Sequence, residues 1–139
     1  MIVVDTCILI DIADDDPVFA SSSVECVTRY LAEGVLISPV SYVELAPVFD
    51  GSTQLLDEFL TGVGIDASEI FTMVDRVAAF RAWSRHVTEK RAGRTRRRPA
   101  ADALIGALAA RHDGLITRNG VDFRSFYPGL RIIDPSSPP

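Results

Sequence analysis

Apolar residues fall along this chain in two patterns, unbroken short runs and spaced stripes. Ile2-Val3-Val4 is a run of β-branched residues with no polar alternation, which predicts a strand buried on both faces, as in a parallel sheet. Residues 35–38, 114–117 and 130–133 repeat that pattern, and residues 63–66 predict a further short strand. Between the runs the spacing turns helical. Residues 8–12 predict a short helix ended by Asp14-Asp15-Asp16-Pro17, an acidic cluster whose simplest role is a solvated loop. Ser21-Ser22-Ser23 offer N-caps for a helix to about residue 33, with Val24, Val27, Tyr30 and Leu31 as its apolar stripe and Gly34 as its stop. Pro39 suits the first turn of the next helix, which breaks near Pro47. Residues 52–60 predict another, closed by Gly62 and Gly64. A longer helix begins near Ser68 or Phe71, and Val74, Val77, Phe80, Trp83 and Val87 mark its predicted buried face. A small-residue helix follows over residues 100–111.

Strands alternating with helices through short links predict an α/β domain, a central parallel β-sheet flanked by α-helices on both sides. At 139 residues the expectation is one domain, residues 1–134, with a frayed tail over 135–139. Cys7 and Cys26 form no C-x-x-C pair and are expected as reduced thiols. The N-terminus lacks a basic leader and no apolar run nears the ~20 residues a bilayer requires, so the expected location is the cytoplasm, without membrane contact.

Charge changes the picture more than composition does. Residues 1–75 hold one basic and 14 acidic residues, a net −13, whereas residues 76–139 hold 13 basic and 5 acidic, a net +8. Local fields steer a phosphate backbone, so an overall charge of −5 does not exclude a nucleic-acid partner. The basic half contains Arg94, Arg96, Arg97 and Arg98 in a loop just before the helix that carries Asp102. There they would rim whatever site that helix serves; a plain solvated loop or a dock for an acidic partner is the other reading.

In open α/β sheets ligands bind beyond the carboxyl ends of the strands. Asp5 ends the first strand, Asp122 follows the exit loop of residues 114–117, and Glu44 and Asp102 each sit early in a helix. Each has a structural alternative. Ser41-x-x-Glu44 is a capping box, though Ser38-Pro39 is an equally good helix start. Asp102 suits a helix N-terminus and Asp122 an Asx turn. Two carboxylates ~4 Å apart repel by roughly 4 kcal/mol at an effective dielectric of 20, so a converging set calls for a cation. All-oxygen ligands select a hard one, Mg²⁺ or Mn²⁺. His86 and His112 do not help a zinc reading, because one lies on the long helix and the other at a helix C-terminus. A carboxylate-held metal beside a basic rim suits phosphodiester hydrolysis.

Five segments then carry a family resemblance. They are Val4-Asp5-Thr6-Cys7, Ser38-Pro39-Val40-Ser41-Tyr42-Val43-Glu44-Leu45, Pro99-Ala100-Ala101-Asp102-Ala103-Leu104-Ile105, Thr117-Arg118-Asn119-Gly120-Val121-Asp122-Phe123, and Leu130-Arg131-Ile132-Ile133-Asp134-Pro135. In this order and spacing the chain resembles PIN-domain nucleases, most closely the VapC-like ribonuclease toxins of type II toxin–antitoxin modules. The resemblance implies a PIN fold. It implies catalytic roles for Asp5, Glu44, Asp102 and Asp122, with Asp5 and Asp102 as metal ligands and Glu44 and Asp122 joining directly or through water. Thr6 and Thr117 would be supporting hydroxyls and Asn119 a polar neighbour, at a position many relatives fill with an acid. It further implies Mg²⁺ or Mn²⁺ as cofactor and an RNA substrate; Arg94, Arg96, Arg97 and Arg98 make a run more basic than the family pattern requires, read here as this member's own grip on the RNA. The implied partners are a second copy of the chain and a VapB-like antitoxin, through which the hetero-oligomer would reach operator DNA. Two rivals stand beside this expectation: a non-catalytic binding module with structural acids, and a phosphatase of small esters, for which so many arginines are excessive.

Overall fold

The computed structural model of the chain describes residues 1–94 and 99–137. Its elements, in order, are β1 (Ile2–Val4), α1 (Thr6–Ala13), α2 (Ala20–Tyr30), β2 (Val35–Leu36), α3 (Pro39–Glu44), α4 (Thr53–Val63), β3 (Ile65–Asp66), α5 (Met73–Arg91), α6 (Ala100–Arg111), β4 (Leu115–Ile116), α7 (Gly120–Phe126) and β5 (Ile132–Ile133). The strands form one sheet in the order β3-β2-β1-β4-β5, and every pairing is parallel. The α/β architecture expected from the alternating runs is the one observed.

The middle strand explains the unbroken apolar run. Side chains alternate across a strand, so both faces of β1 need cover. Ile2 and Val4 enter one core with Ile8, Leu9, Val27, Leu45, Leu56 and Leu60 from α1, α2, α3 and α4. Val3 enters the opposite core with Ile105, Leu108, Phe123 and Leu130. The chain runs from β1 outward to β2 and β3, then crosses back to β4 and β5 on the other side. The change of direction falls between β1 and β4, and ligands of open α/β sheets bind beyond the carboxyl ends of the strands at such a point.

Two predicted helix faces are corrected. The second helix starts at Ala20, ahead of the serines, because the Asp16 carboxylate accepts the Val18 and Phe19 amides at 2.8 and 2.9 Å and closes that turn. Its buried face is Ala20, Ser23, Cys26 and Val27, while Val24 and Leu31 of the expected stripe are exposed. In α5 the buried residues are Asp75, Ala79, Ala82 and His86, and Val74, Val77 and Phe80 face outward at 68%, 37% and 75% exposure. The steps 75, 79, 82 and 86 are themselves helical, one position out of phase with the larger apolar residues. The alanines let α5 lie close to α6, with Ala82, Ala103 and Phe126 in one small cluster that Trp83 flanks. Gly62, expected to close α4, lies inside it; Gly64 is the left-handed cap at φ 83°. Among the described residues no helix is long and apolar enough to cross a membrane.

Candidate active site

Asp5 leaves β1 and becomes the N-cap of α1, its amide bonded to the Ile116 carbonyl of β4 at 3.0 Å. Asp5 is 6% exposed, at the carboxyl end of the middle strand. Thr117, fully buried at the end of β4, donates its hydroxyl to Asp5 Oδ2 at 2.7 Å, and Cys7 Sγ donates to the same oxygen at 3.3 Å. The Asn119 amide donates to Thr117 Oγ1 at 2.9 Å, which fixes that hydroxyl as a donor toward Asp5. Burial pushes the Asp5 carboxyl above the ordinary carboxylate range; the bonds from Thr117, Cys7 and the Thr6 amide work against it, and the positive charge of Arg118 last. Burial first, and the Asp5 charge second, push the Cys7 thiol up to about 12, so Cys7 is a protonated donor and no nucleophile at neutral pH.

Glu44 reaches the same place from α3. Ser38 Oγ accepts the Ser41 amide at 3.0 Å, so Ser38-Pro39 is the true helix start. Glu44 is thereby released from any capping task. Its Oε1 accepts the Thr6 hydroxyl at 3.0 Å, linking it to the residue beside Asp5. Asp102 lies in the first turn of α6, half-buried. Because α6 leads into β4, it runs against the strands, and its N-terminus stands at their carboxyl side. Asp122 lies in the first turn of α7, which starts three residues after Thr117. An open hollow of about 440 Å³ adjoins it, lined by Arg118, Asn119, Asp122 and Arg124 among others.

The structure thus joins Asp5, Thr6, Glu44, Thr117 and Asn119 through hydrogen bonds and sets Asp102 and Asp122 at helix starts on the same side of the sheet. Among the described residues, no three Asp, Glu, His or Cys side chains cluster closely enough to hold a metal ion. The donor set is nonetheless all oxygen, and its central member is a buried carboxylate that burial disfavours as an anion, a combination that fits a hard divalent cation. Of the predicted RNA-gripping residues, Arg94 is exposed and paired with Glu89 at 2.7 Å, a contact water keeps weak. Arg96, Arg97 and Arg98 lie outside the described residues. Sequence reasoning missed Cys7 and Arg118. Cys7 carried a local signal, standing two residues after Asp5 at the turn into α1.

The chain matches the PIN domain model over residues 2–127. It belongs to the PIN-domain family. Solved structures agree on the PIN fold. FitAB bound to an IR36 DNA fragment superposes with a TM-score of 0.70 at 18% identity, covering 100% of this chain and 98% of that one. FitAcB from Neisseria gonorrhoeae gives 0.68 at 19%, covering 97% and 98%. VapBC2 from Rickettsia felis, bound to a DNA fragment from their promoter, gives 0.70 at 19%, covering 96% and 98%. No curated protein matches the chain by sequence. Asp5 ends the middle strand of that fold, and Thr117, at the turn from β4 into α7, bonds it.

Proposed function

We infer that this PIN-domain protein is a Mg²⁺- or Mn²⁺-dependent endoribonuclease toxin, silenced by a VapB-like antitoxin. The observation that carries the inference is Asp5: a buried carboxylate at the topological switch point, braced by Thr117 and Cys7 yet with its anionic form disfavoured by burial. A bound cation would restore that anion. Asp5 and Asp102 would hold it, with Glu44 and Asp122 directly or through water. The ion would supply Lewis-acid polarisation of the phosphodiester and a nucleophilic water. Thr117 and Thr6 orient the Asp5 and Glu44 carboxylates, and Arg94, Arg96, Arg97 and Arg98 offset the acids' repulsion of the RNA backbone. The folds of FitAB, FitAcB and VapBC2, of which FitAB and VapBC2 are bound to DNA fragments, support an antitoxin partner and contact with operator DNA through it.

Purified protein incubated with structured RNA is expected to cut it in Mn²⁺ or Mg²⁺ and to stop when the ion is chelated. Cutting that survives chelation would refute the hard-cation reading. Spacing among the carboxylates favours one rival, a non-catalytic binding module, because no three described acids lie within reach of one ion. Calorimetry with Mn²⁺ separates the two: the nuclease takes up the ion stoichiometrically and the module does not.

A second copy of the chain is the partner we assign to the outer face of α5. Met73, Val74, Val77 and Phe80 stand exposed on it, with Ile70 exposed just ahead of the helix, an apolar patch of the kind that marks interfaces. Phe80→Glu is expected to turn a dimer into a monomer in sedimentation, with the far-UV helical signal kept. A dimer that persists would place the interface elsewhere.

A further inference from the structure

Arg118 stands between Thr117, whose hydroxyl bonds Asp5, and Asn119, whose backbone amide bonds Thr117, and its own side chain is spent on α1. Its Nε donates to Asp11 Oδ2 at 3.0 Å and a terminal nitrogen donates to Oδ1 at 2.7 Å, a two-pronged pair with a carboxylate that is 3% exposed. Ser23 of α2 donates its hydroxyl to the same Asp11 Oδ2 at 3.0 Å, and the guanidinium carbon lies 4.0 Å from the centre of the Phe19 ring. The turn after β4 is therefore held at successive residues, Thr117 onto Asp5 and Arg118 onto Asp11 of α1 and Phe19 at the head of α2. A buried ion pair adds little net stability over a well-packed apolar pair, so its yield here is orientation. The fork and the ring contact also fix where the guanidinium sits, on Asp11 and Phe19, so that its charge is only the least of the influences on Asp5. Lysine reproduces neither the fork nor the stacking.

We propose that the Asp11–Arg118 pair is the positioning device of the pocket, holding residues 117–122 so that Thr117 aims the Asp5 carboxylate and leaves it open to a cation. The cation rests on the nuclease reading; the loop does not. Three measurements on full-length protein test it with Arg118→Lys, Arg118→Met, Asp11→Asn and the double Asp11→Asn/Arg118→Met. In hydrogen exchange without added metal, each variant is expected to lose protection by ~10-fold or more over 117–122 while β1 and α5 keep theirs. Calorimetry with Mn²⁺ is expected to show binding weakened by ~10- to 100-fold, as when a ligand loses its orienting partner. RNA cleavage at saturating Mn²⁺ is expected to fall in kcat with KM held within about two-fold. The double variant should be no worse than either single, since each breaks the same pair. Unchanged exchange over 117–122 with only a lower melting temperature would overturn the proposal, as would single effects that add in the double. If the methionine variant fails to fold, Arg118→Lys, which keeps the charge, decides the matter. If wild-type protein binds no Mn²⁺, the nuclease reading fails, and exchange alone judges the pair: loss confined to 117–122 sustains it, and loss spread over the chain overturns it.

Discussion

Asp5→Asn is expected to end RNA cleavage, by more than ~100-fold, while the protein without added metal melts at the same temperature or higher. Asparagine keeps an oxygen for the Thr117 hydroxyl and the Cys7 thiol, so the hydrogen bonds around position 5 survive. What it removes is a charge that burial disfavours. The Asp5 carboxyl is held above its ordinary range by desolvation, which fixes the sign of its pH dependence. Below the unfolded value, about 3.9, the acid is protonated in both states and its contribution is fully present. As the pH rises through the folded value, the buried acid must ionise in a poor solvent and that stability is lost. The variant escapes the loss. Its advantage should vanish in acid and grow toward neutrality, measured as melting temperature against pH. Adding Mn²⁺ reverses the order, because an ion that binds only the folded wild type stabilises it by about 2.7 kcal/mol at 100 times its Kd. A variant that still cuts RNA, or an equal Mn²⁺-induced rise in both proteins, would remove Asp5 from the metal site.

That acid was legible in the sequence because β1 is the middle strand. Its two faces enter two different cores, so Ile2, Val3 and Val4 must all be apolar and the polar residue that follows stands out. Glu44 was half legible: the sequence offers two helix starts, and only the Ser38–Ser41 hydrogen bond chooses between them. Asp11 and Arg118 are 107 positions apart and belong to no local pattern, so nothing short of the fold joins them. Hydrophobic size misled at α5. Val74, Val77 and Phe80 outweigh Ala79 and Ala82 on any apolar scale, and Asp75 and His86 look like solvent positions. Close approach to α6 requires small residues, and the polar ones are buried because they have partners: the His86 ring lies 5.0 Å from that of Phe126, and Asp75 is held by an arginine.

That arginine makes the largest stability prediction. Arg111→Met is expected to destabilise the fold by about 3 kcal/mol, the cost of leaving a buried ion without its partner. Asp75 is fully buried. Its Oδ1 accepts Arg111 Nε at 2.8 Å, and its Oδ2 accepts the Thr72 amide at 2.8 Å and the Thr72 hydroxyl at 3.1 Å, completing the capping box of α5. Burial alone would raise this carboxyl; the bonds from Arg111 and Thr72 outweigh it and hold the acid below its ordinary range. The pair's stabilisation is then present above the unfolded value and lost as the pH falls through the folded one, opposite in sign to Asp5. Without Arg111 the remaining bonds face desolvation unaided, so the variant should lose most at neutral pH and least in acid. Adding Asp75→Asn to Arg111→Met removes the stranded charge while keeping an acceptor for the Thr72 amide. The double variant is therefore expected to regain part of the loss, in urea midpoints at pH 7. A double variant less stable than Arg111→Met would mean that the carboxylate is secured by Thr72 and that Arg111 contributes through Glu69 and the Ile70 carbonyl, which it also contacts. RNA cleavage by the surviving folded fraction should be unchanged in either case, because Arg111 ends α6 at the amino side of the sheet, opposite Asp5.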